Sequence, residues 1–203
     1  IEKMVELLNQ DCIPVVYEKG SLGASGDLAL LSHMSLPLIG LGDVIVDGVI
    51  YPASQGLAHR GIEPLTHLEA KEGLSLINGT QAMSAIGGLA LYDANKLLKL
   101  ANLSFSLTME ALMGITKSLD PKVHEIRGQV GQMIVAKEAR EYLKGSALAR
   151  PEHPDRVQDA YSLRCSPQVH GASHDALVHI NDVVLREFNA VTDNPLIFTD
   201  QKE

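Results

Sequence analysis

Apolar positions recur along this chain with two periods, and the period assigns the elements. Ile1, Met4, Val5, Leu7 and Leu8 fall at helical spacing, so residues 1–9 read as an amphipathic helix. Residues 10–26 hold Pro14, Gly20, Gly23 and Gly26 with few apolar side chains after Val16, and read as loop. Asp27 stands where an N-cap or first-turn acid would stand. Residues 28–36 continue as a helix that Pro37 ends. Val44-Ile45-Val46 and Val49-Ile50-Tyr51 flank Asp47-Gly48; β-branched runs around Asp-Gly predict a two-residue hairpin. Residues 52–61 predict a short helix and turn, and residues 69–77 a further helix closing at Asn78-Gly79.

Between residues 80 and 113 there is no proline, and Met83, Ile86, Leu89, Ala90, Leu97, Leu100 and Ala101 keep helical spacing. At 1.5 Å per residue such a helix runs roughly 50 Å. A membrane span is the obvious rival. Gln81, Ser84, Asp93, Asn95, Lys96, Lys99 and Asn102 interrupt every apolar run before the ~20 residues a span needs. A long helix in a bundle is the better reading. Asp120-Pro121 opens a short helix, and residues 129–144 form an amphipathic one stopped at Gly145. Residues 150–155 read as loop and 157–163 as helix or turn. Residues 167–190 make a second long helix with proline in its first turn, and Asn194-Pro195 ends the pattern in a turn. The expected fold class is mainly α, a bundle of long helices with one small β-hairpin near 44–51.

Composition narrows the class. Hydrophobic residues make up 45% of the 203 positions, aromatics only 4%, and tryptophan is absent. The core must be built from Leu, Ile, Val, Ala and Met, which favours packed helices. The formal charge is −8 without any Lys/Arg cluster, which argues against nucleic acid or an anionic membrane as partner. Cys12 and Cys165 are far apart with no CxxC pattern, and read as free thiols in a reducing compartment. No signal-peptide pattern is present, so a cytoplasmic location is expected. The chain does not begin with Met, and an internal start in a longer protein is expected.

Three polar stretches could carry chemistry. The first is Gly20-Ser21-Leu22-Gly23-Ala24-Ser25-Gly26-Asp27. It matches neither a GxxxxGK[ST] phosphate loop nor GxGxxG nor a GxSxG elbow. A structural loop is one reading. The other is an internal ring: the Gly26 nitrogen, unobstructed by a side chain, condenses onto the Ala24 carbonyl, and Ser25 loses its hydroxyl as water. The product is an electrophilic alkene made from backbone. The second stretch is Asn78-Gly79-Thr80-Gln81, either a helix cap or a carboxamide presented to a ligand. The third spans Gln158 to Arg164. If it is helical, Gln158, Tyr161 and Arg164 share a face and offer a carboxamide, a phenol and a guanidinium fork suited to a carboxylate. A solvated helix face is the alternative. His170 and His174 are four apart, but no HExxH pattern or carboxylate at ligand spacing supports a metal, and none is expected.

The stretches GSLGASGDLALLSHM, LINGTQAM, VQDAYSLRCSPQVHGA and NAVTDNPL occur in this order. Together they resemble the aromatic amino acid ammonia-lyases over residues 16–198. The resemblance implies that Ala24, Ser25 and Gly26 cyclise autocatalytically to 4-methylideneimidazol-5-one (MIO), with no external cofactor, and that Asp27 assists. It implies that Asn78 bonds near the prosthetic group and the substrate amine, and that Tyr161 serves proton chemistry. Arg164 would clamp the substrate carboxylate, Gln158 would complete the polar wall, and Asn194 would reach the carboxylate region. NGTQ and RCSPQV are similar to the histidine-specific branch, which implies L-histidine as substrate, trans-urocanate as product and a place at the first step of histidine degradation. A phenylalanine or tyrosine lyase, an aminomutase, or a non-catalytic helical oligomerisation core are the alternatives. Leu30 stands where the family commonly has Pro, and residues 127–132 replace a more typical His-Pro-Gly-Gln. The resemblance further implies a homotetramer with active sites shared between chains. Residues 1–203 would be the central helical part of a single lyase domain. The family's N- and C-terminal segments, which carry further pocket residues, would lie outside it, leaving these 203 residues inactive alone.

Overall fold

The structure, a computed structural model, describes residues 1–20 and 28–198. Helix α1 (Glu2–Asn9) turns Leu7 into the core. Asp11, at φ 48°, redirects the chain into strand β1 (Cys12–Pro14). This strand lies within the stretch read as loop. Three residues are too few to show a period of two, and Pro14, which cannot donate a ladder bond, suits an edge position. Helix α2 (Leu28–Ser35) ends as expected at Pro37, and a 3-10 turn (Leu36–Ile39) carries the chain on to Gly40.

Strands β2 (Asp43–Val46) and β3 (Val49–Pro52) form the expected hairpin. Asp47 at φ 50° and Gly48 at φ 78° both lie in the left-handed region, as a tight turn between twisted strands requires. β1 pairs antiparallel with β2, setting Cys12 against Val46 and Pro14 against Val44, so the hairpin is two strands of a three-stranded sheet ordered β1-β2-β3. Helix α3 (Ala53–His59) covers this sheet so closely that a Cβ on Gly56 would stand 2.2 Å from Val44 Cγ2. Leu7, Cys12, Leu38, Val44, Val46 and Leu57 are among the buried residues of this core.

Helix α4 (Glu72–Ile77) leads to α5 (Gln81–Ala111), the long uninterrupted helix expected from its spacing. Asp120 caps α6 (Pro121–Glu125), its carboxylate accepting the Lys122 N–H at 2.9 Å with proline at the first position. Helices α7 (Val130–Tyr142), α8 (Tyr161–Arg164) and α9 (Ser166–Phe188) complete the chain. The fold is mainly α. It divides into two compact units, residues 1–86 with 188–203, and residues 87–187.

In the second unit Phe105, Met109, Leu119, Ala139, Leu143 and Leu163 share a buried cluster. The N-terminus of α7 meets α9 through backbone: a Cβ on Gly131 would stand 2.2 Å from the Gly171 oxygen, and one on Gly171 would stand 2.4 Å from the Gln132 nitrogen. Two histidines, buried His124 and half-buried His170, knit this unit. His124 donates Nε2–H to the Ser118 carbonyl at 3.1 Å, and its Nδ1 accepts from Gln132 Nε2 at 2.8 Å. Asn102 donates to Glu138 at 2.7 Å, which turns its Oδ1 toward His170 Nδ1 at 2.8 Å and makes that nitrogen the donor. Burial lowers the pKa of both histidines. Among the described residues no helix is long and apolar enough to cross a membrane.

Candidate functional site

The site residues expected from sequence fall into three groups. Ala24, Ser25, Gly26 and Asp27 lie outside the described residues. Their described flanks come near one another: a Cβ built on Gly20, which sits at φ 127°, would lie 3.7 Å from Ala29 Cβ.

The second group lies in the first unit, at both ends of α4. Asn78 follows the last turn of α4 and its backbone N–H bonds the Leu74 carbonyl at 2.9 Å. It therefore closes α4, as the expected end of that helix at Asn78-Gly79 implies, and does not cap the start of α5. Its side-chain Nδ2 donates to the Asn194 carbonyl at 2.9 Å. Two residues singled out separately are thus brought together across 116 positions. A carbonyl can only accept, so the Asn78 amide group is fixed with nitrogen toward Asn194 and Oδ1 turned away.

Around this contact lies a polar set that periodicity gave no sign of. Asp193 Oδ1 accepts the Asn194 N–H at 2.7 Å. Its Oδ2 accepts from Ser75 Oγ at 2.8 Å and pairs with the Lys71 ammonium. Lys71 also donates to Ser75 Oγ at 3.1 Å, and its own backbone is left-handed, at φ 69°. The Lys71 hydrogen bond, followed by that of Ser75, holds the Asp193 carboxyl below the usual carboxylate range. Thr192 Oγ1 accepts from the Thr80 N–H at 3.4 Å and Gln81 Nε2 at 3.3 Å. Three consecutive residues, 192–194, thereby grip α4 and the start of α5. The signal available in sequence was only that TDNP belongs to a shared motif; which residues it would meet is long-range information.

The third group lies in the second unit. α8 begins at Tyr161, so Gln158 precedes the helix and is not on a common helical face with Tyr161 and Arg164. The reason is that buried Asp159 is taken up by the Ile115 N–H at 2.6 Å and Arg156 Nε at 2.8 Å, which keeps residues 156–160 out of a helix. Tyr161 and Arg164 do meet. The guanidinium carbon lies 4.1 Å from the phenol ring centroid, and Arg164 Nε donates to the Asp159 carbonyl at 3.0 Å. Tyr161 is 72% exposed. Among the described residues no carboxylate pairs with Arg164, which leaves its fork open to an anion. Gln158, Asp159, Arg164, Cys165 and Gln168 help line a cleft of about 300 Å³. Gln168 Oε1 is buried there with no hydrogen-bond partner among the described residues, a feature sequence reasoning missed. Cys12 and Cys165 are free thiols; burial, the main cause, raises the pKa of Cys12. Among the described residues no group of three or more His, Cys, Asp or Glu is placed to hold a metal ion.

The arrangement offers an amide acceptor in one unit and, in the other, a guanidinium beside a phenol with no carboxylate partner among the described residues. Comparison with known proteins gives these features a context. The family model described as aromatic amino acid lyase matches residues 1–203. The chain is 51% identical to histidine ammonia-lyase 1 of Fusobacterium nucleatum over 203 residues, covering 100% of this chain and 39% of that protein. It is 52% identical to the histidine ammonia-lyase of Symbiobacterium thermophilum, covering 100% and 40%. Among solved structures, phenylalanine aminomutase of Pantoea agglomerans matches with TM-score 0.91 at 34% identity, covering 100% of this chain and 42% of that one. Histidine ammonia-lyase of Trypanosoma cruzi matches with TM-score 0.85 at 37% identity, covering 100% and 37%. The chain spans about two fifths of the length of the curated relatives it matches.

Proposed function

The chain belongs to the aromatic amino acid lyase family, and from that premise we propose that the protein it forms part of eliminates ammonia from L-histidine to give trans-urocanate. The observation that carries the choice of substrate is whole-chain similarity: relatives at 46–52% identity over 97–100% of the chain bear the name histidine ammonia-lyase. That reaction removes a weakly acidic β-proton and expels a poor leaving group.

Ala24-Ser25-Gly26 has the composition needed to build MIO. When formed, the ring supplies an electrophile that activates the amino acid for loss of ammonia. Asp27 assists ring formation. Asn78 Oδ1, turned away from Asn194, accepts from the substrate amine. Asn194 supports that amide and lies toward the carboxylate region. Arg164 binds the carboxylate through its terminal N–H groups, held in place by the Asp159 carbonyl and the Tyr161 ring. Tyr161, exposed beside a cation, is the proton carrier; Gln158 completes the polar wall of the cleft. No external cofactor or metal enters this scheme. The working form is a cytoplasmic homotetramer whose active sites draw on more than one chain, and residues 1–203 form the central helical part of one lyase domain.

Two measurements test the proposal. Intact mass of the full-length protein should fall two waters short of its sequence, and a mass equal to the sequence would remove the ring. Urocanate should accumulate with L-histidine; a β-amino acid product, or turnover of phenylalanine or tyrosine instead, would refute the histidine assignment. The 203-residue chain alone should give little or no urocanate, measured by ultraviolet absorbance.

A further inference from the structure

Asn78 is proposed above to face the substrate, yet its own helix does not orient its amide. α4 is short, and Asn78 stands past its end. A carboxamide free to rotate presents either an acceptor or two donors, and only the acceptor suits a protonated amine. Something must choose. The Asn194 carbonyl makes the choice by taking Nδ2–H at 2.9 Å. That carbonyl is in turn held by Asp193, which binds the Asn194 N–H at 2.7 Å with one oxygen and engages Lys71 and Ser75 with the other.

We propose that Lys71 and Asp193 are positioning residues: their ion pair latches residues 193–194 along α4 and thereby fixes the Asn78 amide with Oδ1 toward the substrate amine. The inference rests on the ammonia-lyase reading, since it needs Asn78 to meet an amino acid. Every contact in it lies within the first unit. Lys71, at the head of α4, and Asn78, past its foot, are joined through two adjacent residues, so the latch spans the helix from end to end. The ion pair is largely shielded, with side-chain exposures of 18% for Lys71 and 22% for Asp193, which limits screening. The depressed pKa of Asp193 agrees with a carboxylate held ionised by these donors.

The test uses the full-length protein carrying Ser25→Ala, which cannot lose a serine hydroxyl, so that L-histidine binds without turnover. Calorimetry reads its Kd. Adding Asp193→Asn should weaken binding about ten-fold, the size of one charge-assisted hydrogen bond to the substrate. Adding Asn78→Ala should weaken it similarly. The two together should be little worse than Asn78→Ala alone, because the latch acts only through that amide. Lys71→Met should reproduce Asp193→Asn, and Lys71→Arg should restore most of the affinity. If Asp193→Asn lowers the yield of folded protein, Lys71→Met carries the same comparison. Losses that add fully in the double variant would mean a merely structural role and overturn the inference, as would binding unchanged by Asp193→Asn. Failure of the Ser25→Ala protein itself to bind L-histidine, with no urocanate formed by the unsubstituted protein, would refute the ammonia-lyase reading and the latch with it.

Discussion

At Gly171 a hydrogen atom is all that separates two helices. A methyl there would stand 2.4 Å from the Gln132 nitrogen, 2.5 Å from its Cα and 2.7 Å from the Gly131 carbonyl carbon. These are backbone atoms, which cannot swing aside as a side-chain end can. Gly171→Ala should therefore destabilise the protein by roughly 3 kcal/mol, the upper end of overpacking costs, seen as a lowered denaturant midpoint. Arg164 permits a sharper functional test. Lysine keeps the charge but loses the planar fork, the Asp159 carbonyl contact and the stacking on Tyr161. Arg164→Lys in the full-length enzyme should raise KM about ten-fold or more with a smaller effect on kcat, if the fork binds the carboxylate equally throughout the reaction. Single residues were legible in part. Asn78, Tyr161, Arg164 and Asn194 stood out by type and motif, and the structure pairs Asn78 with Asn194 and Tyr161 with Arg164. Lys71 did not stand out, because a lysine in a charged stretch looks like solvated surface until its partner, 122 positions away, is placed.

Among elements, the long helices and the hairpin were read correctly, because each carries many repeats of one period. β1 and α8 were not. β1 is three residues long and contains proline; α8 is one turn, and its start is decided by Asp159 bonding to Ile115 and Arg156 rather than by any local pattern. A tie of short sequence span joins the 3-10 turn at Thr116–Leu119, α6 and α7: neutral His124, accepting from Gln132 and donating to Ser118. Desolvation leads its downward pKa shift; Arg140 also lowers it, while the Ser118 bond and Asp120 oppose. The sign follows. Near pH 7.5 folded and unfolded forms are both largely neutral and the contribution is complete. As pH falls below about 6.5 the unfolded chain takes the proton first, and stability is lost until the folded histidine is protonated too. Denaturant midpoints should fall between pH 7.5 and 5.5, and His124→Gln should flatten part of that slope. His170, also shifted down by burial, contributes in the same sense.

For the whole molecule, α5 carries a problem of its own. One face buries Leu91, Asn102, Phe105, Ser106 and Met109, while Leu89, Tyr92, Leu97, Leu100 and Leu107 are each at least 59% exposed. A row of large apolar side chains at such spacing belongs against another surface. In the proposed tetramer that surface is another chain. Leu97→Asp with Leu100→Asp should shift the full-length protein to a smaller assembly in sedimentation velocity; an unchanged tetramer would place this face elsewhere. The helical class was legible from composition and spacing. The division into two units was not, since it depends on which distant segments meet. The latch between Lys71 and Asp193 gives that division a consequence in time. During synthesis at about 5–20 residues per second, the 122 positions between them take roughly 6–24 s to appear. Residues 87–187 are continuous and can assemble as they emerge, whereas the earlier-made α4 must wait for residues 192–194. Of these two units the one begun earlier is completed later, and a ribosome stalled near residue 190 would hold a chain whose Asn78 has nothing yet to aim it.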